Sequence, residues 1–308
     1  MAWTLDAPAG VYKNHALSSD VRRAAVADSV WMGFVRPERN YGKGRGESIT
    51  LTRVFPLDRA TRVSELDRLP TGRPLVDTKQ IFVDEWGFKT ELTRFEENLT
   101  HFNIRNPFQM ALRDQMRLTM DAMVADAFKL TPIKYVPETG GSTITTNGTP
   151  GAQATANLRI PDLRRMHDYL RQTLKAPKFR GGKYVGILST KAARGIKNDS
   201  EYKDWQAPTT SGPLIDGRLR DVEGFALFEA NNDWALNDAI GNSGVLGEAV
   251  FFAADPVALA VVENPELRAD PVLQDLGRFR QFGWYGTIGA GLVWDVAAHA
   301  RVIHVSST

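Results

Sequence analysis

The residues best suited to proton transfer or metal binding are five histidines: His15, His101, His167, His299 and His304. None stands in a His-Glu-x-x-His pattern, which would set two imidazoles on one helix face. No cysteine is present to complete a zinc site. His299 and His304 are five positions apart, so a strand carrying both turns them to opposite faces. Each reads as an ordinary surface or core histidine. A serine nucleophile on a strand-to-helix elbow needs Gly-x-Ser-x-Gly. Gly241-Asn242-Ser243-Gly244-Val245 fails at its last position and reads as a turn. Gly286, Gly289 and Gly291 have the wrong spacing for a dinucleotide loop and lie inside a strand pattern, and no Gly-Lys-Ser/Thr phosphate loop occurs. Asp84-Glu85 and Glu96-Glu97 are adjacent pairs, whose side chains diverge on strand or helix and read as solvated faces. No catalytic, cofactor-binding or metal-binding residue is assigned, and an enzyme is not expected.

Composition points the same way. The chain has 308 residues, 43% of them hydrophobic, enough for a sizeable core in one elaborate domain or two smaller ones. Its net charge is +2, far from the basic excess of a protein that condenses nucleic acid, so DNA contact is expected to be local or weak. The lack of cysteine leaves stability to burial, hydrogen bonds and subunit contacts, and fits a reducing cytoplasm. MAWTLDAPAG has no basic patch followed by an apolar core, so no signal peptide is expected, and no stretch has the apolar length of a membrane span.

The elements suggest a part made to interlock. Residues 1–45 read as an arm with seven Lys/Arg and four Asp/Glu and too little core to fold alone. Ser19 predicts a cap for a short helix over Asp20–Met32. Residues 46–94 read as two long strands, 47–55 and 78–93, joined by a Pro- and charge-rich tip. A connection of about twenty residues is long for a compact hairpin, so the hairpin is expected to project from the body. Trp86 is placed on that projection, where its loss should weaken assembly more than folding. Asn106 and Pro107 open a helix over 106–128, with Leu112, Met116, Met120, Met123 and Ala127 as its apolar stripe. A turn-rich loop follows at 137–157, with a short hairpin around Asn147-Gly148. Pro161 starts a helix over 161–175 whose stripe is Leu163, Met166, Leu170 and Leu174. Strands are expected at 183–189, 223–229 and 248–253, the last running into a short helix capped by Asp255-Pro256. The end reads as two strands, 284–294 and 300–305.

In this order the parts resemble the major capsid proteins of tailed bacteriophages, closest to the branch of some short-tailed phages. The run from Gly46 to Leu57 is similar to the family's first extended-loop strand, and Asp84–Thr93 to its second. The helix at 106–128 takes the place of the family's spine helix. Residues 183–205 resemble its strand followed by a short helical segment, and 217–225 its switch from loop to strand. Gly283-Trp284-Tyr285-Gly286-Thr287-Ile288-Gly289-Ala290-Gly291-Leu292 looks like its last long strand.

The resemblance implies an α+β fold of the Hong Kong 97 type. Its parts would be an N-terminal arm (1–45), an extended β-hairpin loop (46–94), a peripheral domain (95–157 and 283–308, with spine helix 106–128) and an axial domain (158–282). It implies a structural protein of the virion, with no cofactor. Copies would self-assemble as hexamers and pentamers into the icosahedral head around double-stranded DNA, in the bacterial host cytoplasm. Expected partners are other copies, a portal, a separate scaffolding protein, a decoration protein and the packaged DNA by weak non-specific contact, but no membrane. Because the arm begins close to Met1, any scaffold is expected to be a separate protein or removed beforehand. An encapsulin-type nanocompartment shell is the alternative, separated by its cargo.

Overall fold

The computed structural model describes residues 25–38, 41–65, 68–99, 105–179, 181–206, 221–242, 246–269 and 278–308. After a 3₁₀ turn at Trp31–Phe34 come strands Arg36–Pro37 (β1), Ser48–Val54 (β2), Val76–Phe82 (β3) and Asp84–Thr93 (β4). Helices Arg94–Leu99 (α1) and Arg105–Lys129 (α2) lead to Lys134–Val136 (β5) and Thr143–Thr145 (β6). Helix Ile160–Asp168 (α3) passes into a π turn at Tyr169–Thr173. Next are Tyr184–Ser189 (β7), Thr190–Lys197 (α4), Ser200–Gln206 (α5) and Phe225–Ala230 (β8). Strands Ala249–Phe252 (β9), Val257–Ala269 (β10), Phe279–Leu292 (β11) and Val302–Val305 (β12) complete the trace.

One sheet has six strands in the order β6-β5-β12-β9-β7-β8. Its central strands are buried on both faces and mostly apolar, with His304 of β12 an exception. Tyr184, Leu188 and Phe251 point into a core shared with Leu163, Met166 and Leu170 of the α3 segment. Val185, Ile187, Val250 and Phe252 point the other way, onto Val124 and Phe128 of α2. Ser189 ends β7 and caps α4 by accepting the Ala192 amide.

The second sheet has the order β1-β10-β11-β4. The even-numbered residues of β11, Phe282, Trp284 and Ile288, meet Leu112 and Met120 of α2. The stripe expected on this helix is therefore its packing seam. Phe128 and Val124 near its carboxyl end reach the six-stranded sheet, so α2 bridges both layers. The preceding chain is tied to α2 as well. Asp121, fully buried, accepts from the Ser29 hydroxyl and the Trp31 amide, each at 2.8 Å, and the Trp31 ring packs on Phe128.

Several expectations need correction. Residues 25–30 are coil and 31–34 a 3₁₀ turn, not helix, because Asp121 captures the amides a helix would use; residues 20–24 lie outside the described residues. Helix α2 begins at Arg105, so Asn106 stands inside the first turn. The hairpin after β5 is β5–β6, while Asn147 and Gly148 form a turn beyond it, tied by the Gly148 amide to Pro132 O.

Asp255-Pro256 opens no helix. Asp255 takes a left-handed φ of 57° and turns the chain into β10, where Val257–Val261 is captured by the ladder to β11. The stretch 78–93 is two strands with different partners. β3 pairs with β2, and after Val83 the chain leaves the hairpin so that β4 pairs with β11. Trp86 therefore packs half-buried on the Leu92, Leu112 and Trp284 cluster and does not project.

The sheets also cut across the expected domain limits. β10 lies within 158–282 yet belongs to the sheet of β11 and β4, whereas β5, β6 and β12, outside that span, complete the six-stranded sheet. The chain crosses between these sheets after β4, at the Asp255 turn between β9 and β10, and again after β11.

Candidate assembly interface

The hairpin β2–β3 forms a two-stranded sheet of its own, in register from Ser48↔Phe82 to Val54↔Val76. Side chains alternate across it. Its inner face carries Ile49, Leu51, Arg53, Asp77, Lys79 and Ile81 and lies against the molecule. Two glycines of β11 make this approach possible. A Cβ on Gly289 would stand 2.0 Å from the Phe82 carbonyl oxygen, and one on Gly291 would stand 2.9 Å from Ile81. At Gly289 a side chain would have to move the hairpin backbone, and at Gly291 it would have to displace the Ile81 side chain.

A charged clasp fixes the far end of these strands. Arg53, only 5% exposed, reaches Asp77 on β3 and Asp295 just past β11, and donates to Val293 O at 3.2 Å. Lys79 Nζ donates to the other Asp295 oxygen at 2.8 Å. Burial alone would raise the Asp295 carboxyl, but Lys79 and Arg53 hold it below its ordinary range. Phe55 then packs edge-on against Trp294 and at a tilt against the His299 ring, with centroids 5.9 and 4.8 Å away.

The outer face has the opposite character. Ser48, Thr50, Thr52 and Val54 on β2 stand opposite Phe82, Gln80, Thr78 and Val76 on β3, and none is charged. Val54, Val76 and Phe82 are 57%, 55% and 58% exposed. Beyond them, residues 56–75 contain no helix or strand among their described residues, and Leu57, Leu69 and Leu75 are exposed. In ordinary sheets the charged residues face water and the uncharged ones face the core. Here the aliphatic Ile49, Leu51 and Ile81 face the body as usual, but the charged Arg53, Asp77 and Lys79 are turned inward with them, and the outer ladder is uncharged, with Val54, Val76 and Phe82 exposed. The strands are thus seated on the body, and the part that stands free is the loop beyond Phe55.

The residues weighed for chemistry do not converge. His15, His101 and Ser243 lie outside the described residues. His167 packs edge-on to Tyr184 and Phe225. His299 belongs to the Phe55 contact, and His304 is buried beside Glu248 at 2.6 Å. Asp84, Glu85 and Glu96 are exposed, and Glu97 pairs with Arg105. Among the described residues no group of three or more His, Cys, Asp or Glu could hold a metal ion. No described helix is long and apolar enough to cross a membrane. The Arg53–Asp295 clasp was not visible in sequence, because its partners are 242 positions apart and carry no spacing signal.

A long helix bridging two sheets, with a hairpin laid along the outer face of the last long strand, defines the α+β Hong Kong 97-type fold of tailed-phage capsid subunits. Solved structures with this fold match nearly the whole chain. The cyanophage Pam1 capsid asymmetric unit matches with a TM-score of 0.77 at 13% identity, covering 99% of this chain and 98% of its own. The capsid of Helicobacter pylori bacteriophage KHP30 matches with a TM-score of 0.72 at 15% identity, covering 98% and 97%. That of cyanophage P-SCSP1u gives 0.69 at 10% identity, covering 97% and 94%. No protein-family model matches the sequence, and no curated relative matches it. The likeness is therefore one of fold.

Proposed function

We propose that this chain is a major capsid protein, a structural subunit whose copies close into the icosahedral head of a tailed bacteriophage. The observation that carries this reading is the outer face of the hairpin, uncharged and with Val54, Val76 and Phe82 exposed. This face, with the exposed leucines beyond it, suits contact with a second copy and has no evident use in a lone chain. Head-to-tail contacts of this kind close into rings when the rotation fits, giving hexamers and pentamers. Many weak contacts then sum to a stable shell.

In this reading the four-stranded sheet with α2 forms the peripheral region, and the six-stranded sheet with α3–α5 forms the axial region near the capsomer centre. The arm and the 56–75 loop reach neighbouring copies. Portal, scaffolding and decoration proteins are the further partners, and DNA is enclosed with weak non-specific contact, in keeping with a net charge of +2. Assembly occurs in the host cytoplasm and the role is structural, not catalytic. An encapsulin-type compartment would use the same fold, but the matched structures named above are phage capsids, which favours the phage reading.

Placing charge on the outer ladder tests the proposal. Thr52→Glu with Thr78→Glu puts like charges directly opposite one another on an exposed face. The double variant should lose at most about 1 kcal/mol of stability on this exposed face, so it still folds, yet it should fail to form shells. Normal shells from it would remove the ladder from the interface.

A further inference from the structure

Four ionisable side chains from separate parts of the chain meet where α2 ends against the six-stranded sheet. Lys129 closes α2, Lys134 lies on β5, Glu248 directly precedes β9 and His304 lies on β12. Lys134, Glu248 and His304 are all buried. His304 Nε2 is 2.6 Å from Glu248 Oε1, and His304 Nδ1 is 2.8 Å from Lys134 Nζ. Lys134 also donates to the backbone carbonyl of Lys129 at 2.6 Å, at the carboxyl end of the helix. The second Glu248 oxygen accepts the Asn237 amide at 2.8 Å and lies 3.2 Å from Lys129 Nζ. Asp126, 3.7 Å from Lys129 and mostly in water, is the other carboxylate facing the cluster.

The donors fix where the protons sit. An ammonium can only donate, so Nδ1 of His304 is a bare acceptor. Nε2 therefore carries the hydrogen and donates it to Glu248. The imidazole is neutral, with both nitrogens in use. A further proton has to go to Nδ1, where it meets the Lys134 ammonium at hydrogen-bond distance. That contact then turns from a bond into a repulsion, with three cations around one buried carboxylate. Burial, together with the charges of Lys134 and Lys129, holds the His304 imidazole below its ordinary 6.5 despite the pull of Glu248. Burial likewise lowers Lys134 to about 8, so it remains mostly charged at neutral pH.

We propose that this cluster is a proton-operated joint: protonation of His304 expels Lys134 and so loosens the carboxyl end of α2 on the six-stranded sheet. Lys134 joins the helix carbonyl to the β12 imidazole, so one proton breaks this polar link between helix and sheet, while the Lys129–Glu248 contact and the Thr131 hydroxyl bond to Val302 O remain. Val124 and Phe128 keep their apolar seat on the sheet, so the joint loosens without unfolding the chain. The device stands independently of what the chain assembles into.

The sign follows from the imidazole. Its folded value lies below 6.5, so the unfolded or opened form takes the proton first as pH falls. The stabilisation is present above 6.5 and is lost as pH drops from there toward the folded value. On the alkaline side Lys134, at about 8 in the fold against an ordinary 10.5, sheds its proton earlier than in the open form, so stability rises with pH there. The joint therefore opens with acid only.

Hydrogen exchange of the full chain tests this, read at about pH 7.5 and about pH 5.5, either side of the ordinary histidine range, and corrected for intrinsic rates. Segments 126–136 and 302–305 should lose protection by about tenfold at the lower pH, while the β10–β11 ladder keeps its own. His304→Gln should abolish that step. Lys134→Met removes both the link and the repelling cation, so protection of 126–129 should be low at both pH values and the step should shrink or vanish. A loss of protection spread evenly over the chain, or an unchanged step in His304→Gln, overturns the proposal. If His304→Gln does not fold, an undiminished step in Lys134→Met overturns it instead.

Discussion

Arg53 and Asp295, 242 positions apart, are joined by a charge-assisted hydrogen bond that seats the hairpin on its own subunit. The guanidinium is almost wholly enclosed; Asp77, Asp295 and the Val293 carbonyl accept from its two terminal nitrogens, and its Nε–H has no partner. Removing one member leaves the others short of partners, which is costlier than never having built the group.

Arg53→Ala should therefore lower stability by about 1.5–3 kcal/mol, the range for hydrogen bonds to charged groups, with the two aspartates partly relieved by water. Denaturant unfolding gives the value. The Asp295 carboxyl lies below its ordinary 3.8 in the fold, so its contribution is present above that pH and is lost as pH falls through the folded value. Asp295→Asn should flatten this acid limb, and an unchanged limb would mean the clasp is unimportant.

Gly289→Ala should be unusually damaging for so small a change. The added methyl would stand 2.0 Å from the Phe82 carbonyl oxygen, so hairpin or strand must move. Overpacking of this kind costs about 1–3 kcal/mol. Hydrogen exchange should show β2 and β3 deprotected first, and wild-type protection there would place the strain elsewhere.

Trp86→Ala should reduce folding stability. Truncating a buried large aromatic costs about 3–5 kcal/mol, and half-burial of Trp86 brings the expected loss to about 2. Thermal melting of the unassembled chain decides between this and a purely assembly-related role, which would leave the melt unchanged.

Deleting residues 58–75 should leave a folded subunit. The deletion leaves residues 55–57 to join Val54 and Val76, about the length of an ordinary hairpin loop. The melt should stay near that of the parent, while closed particles should be absent by electron microscopy. Normal particles would show that the free loop is dispensable.

Much of this architecture was legible in sequence, and the failures have physical reasons. The Met-rich stripe from Leu112 to Ala127 identified α2 because helical spacing and burial agree there. Alternation revealed β2, and the apolar runs at 183–189 and 248–253 revealed strands buried on both faces. Asp255-Pro256 misled because an Asp-Pro pair suits a helix start as well as a turn, and the ladder to β11 decided between them. The change of partner at Val83 left no local trace, since β3 and β4 have similar composition. That is why Trp86 was placed on the hairpin instead of in the core. The two polar assemblies, around Arg53 and around His304, join residues from distant parts of the chain. Residue type alone could not distinguish their members from solvated charges.

The most direct measurement is negative-stain electron microscopy of the purified chain beside size-exclusion chromatography, with a scaffolding protein supplied. Closed icosahedral particles, or hexamers and pentamers that convert to them, are the predicted result. A chain that remains monomeric under those conditions would contradict the capsid reading.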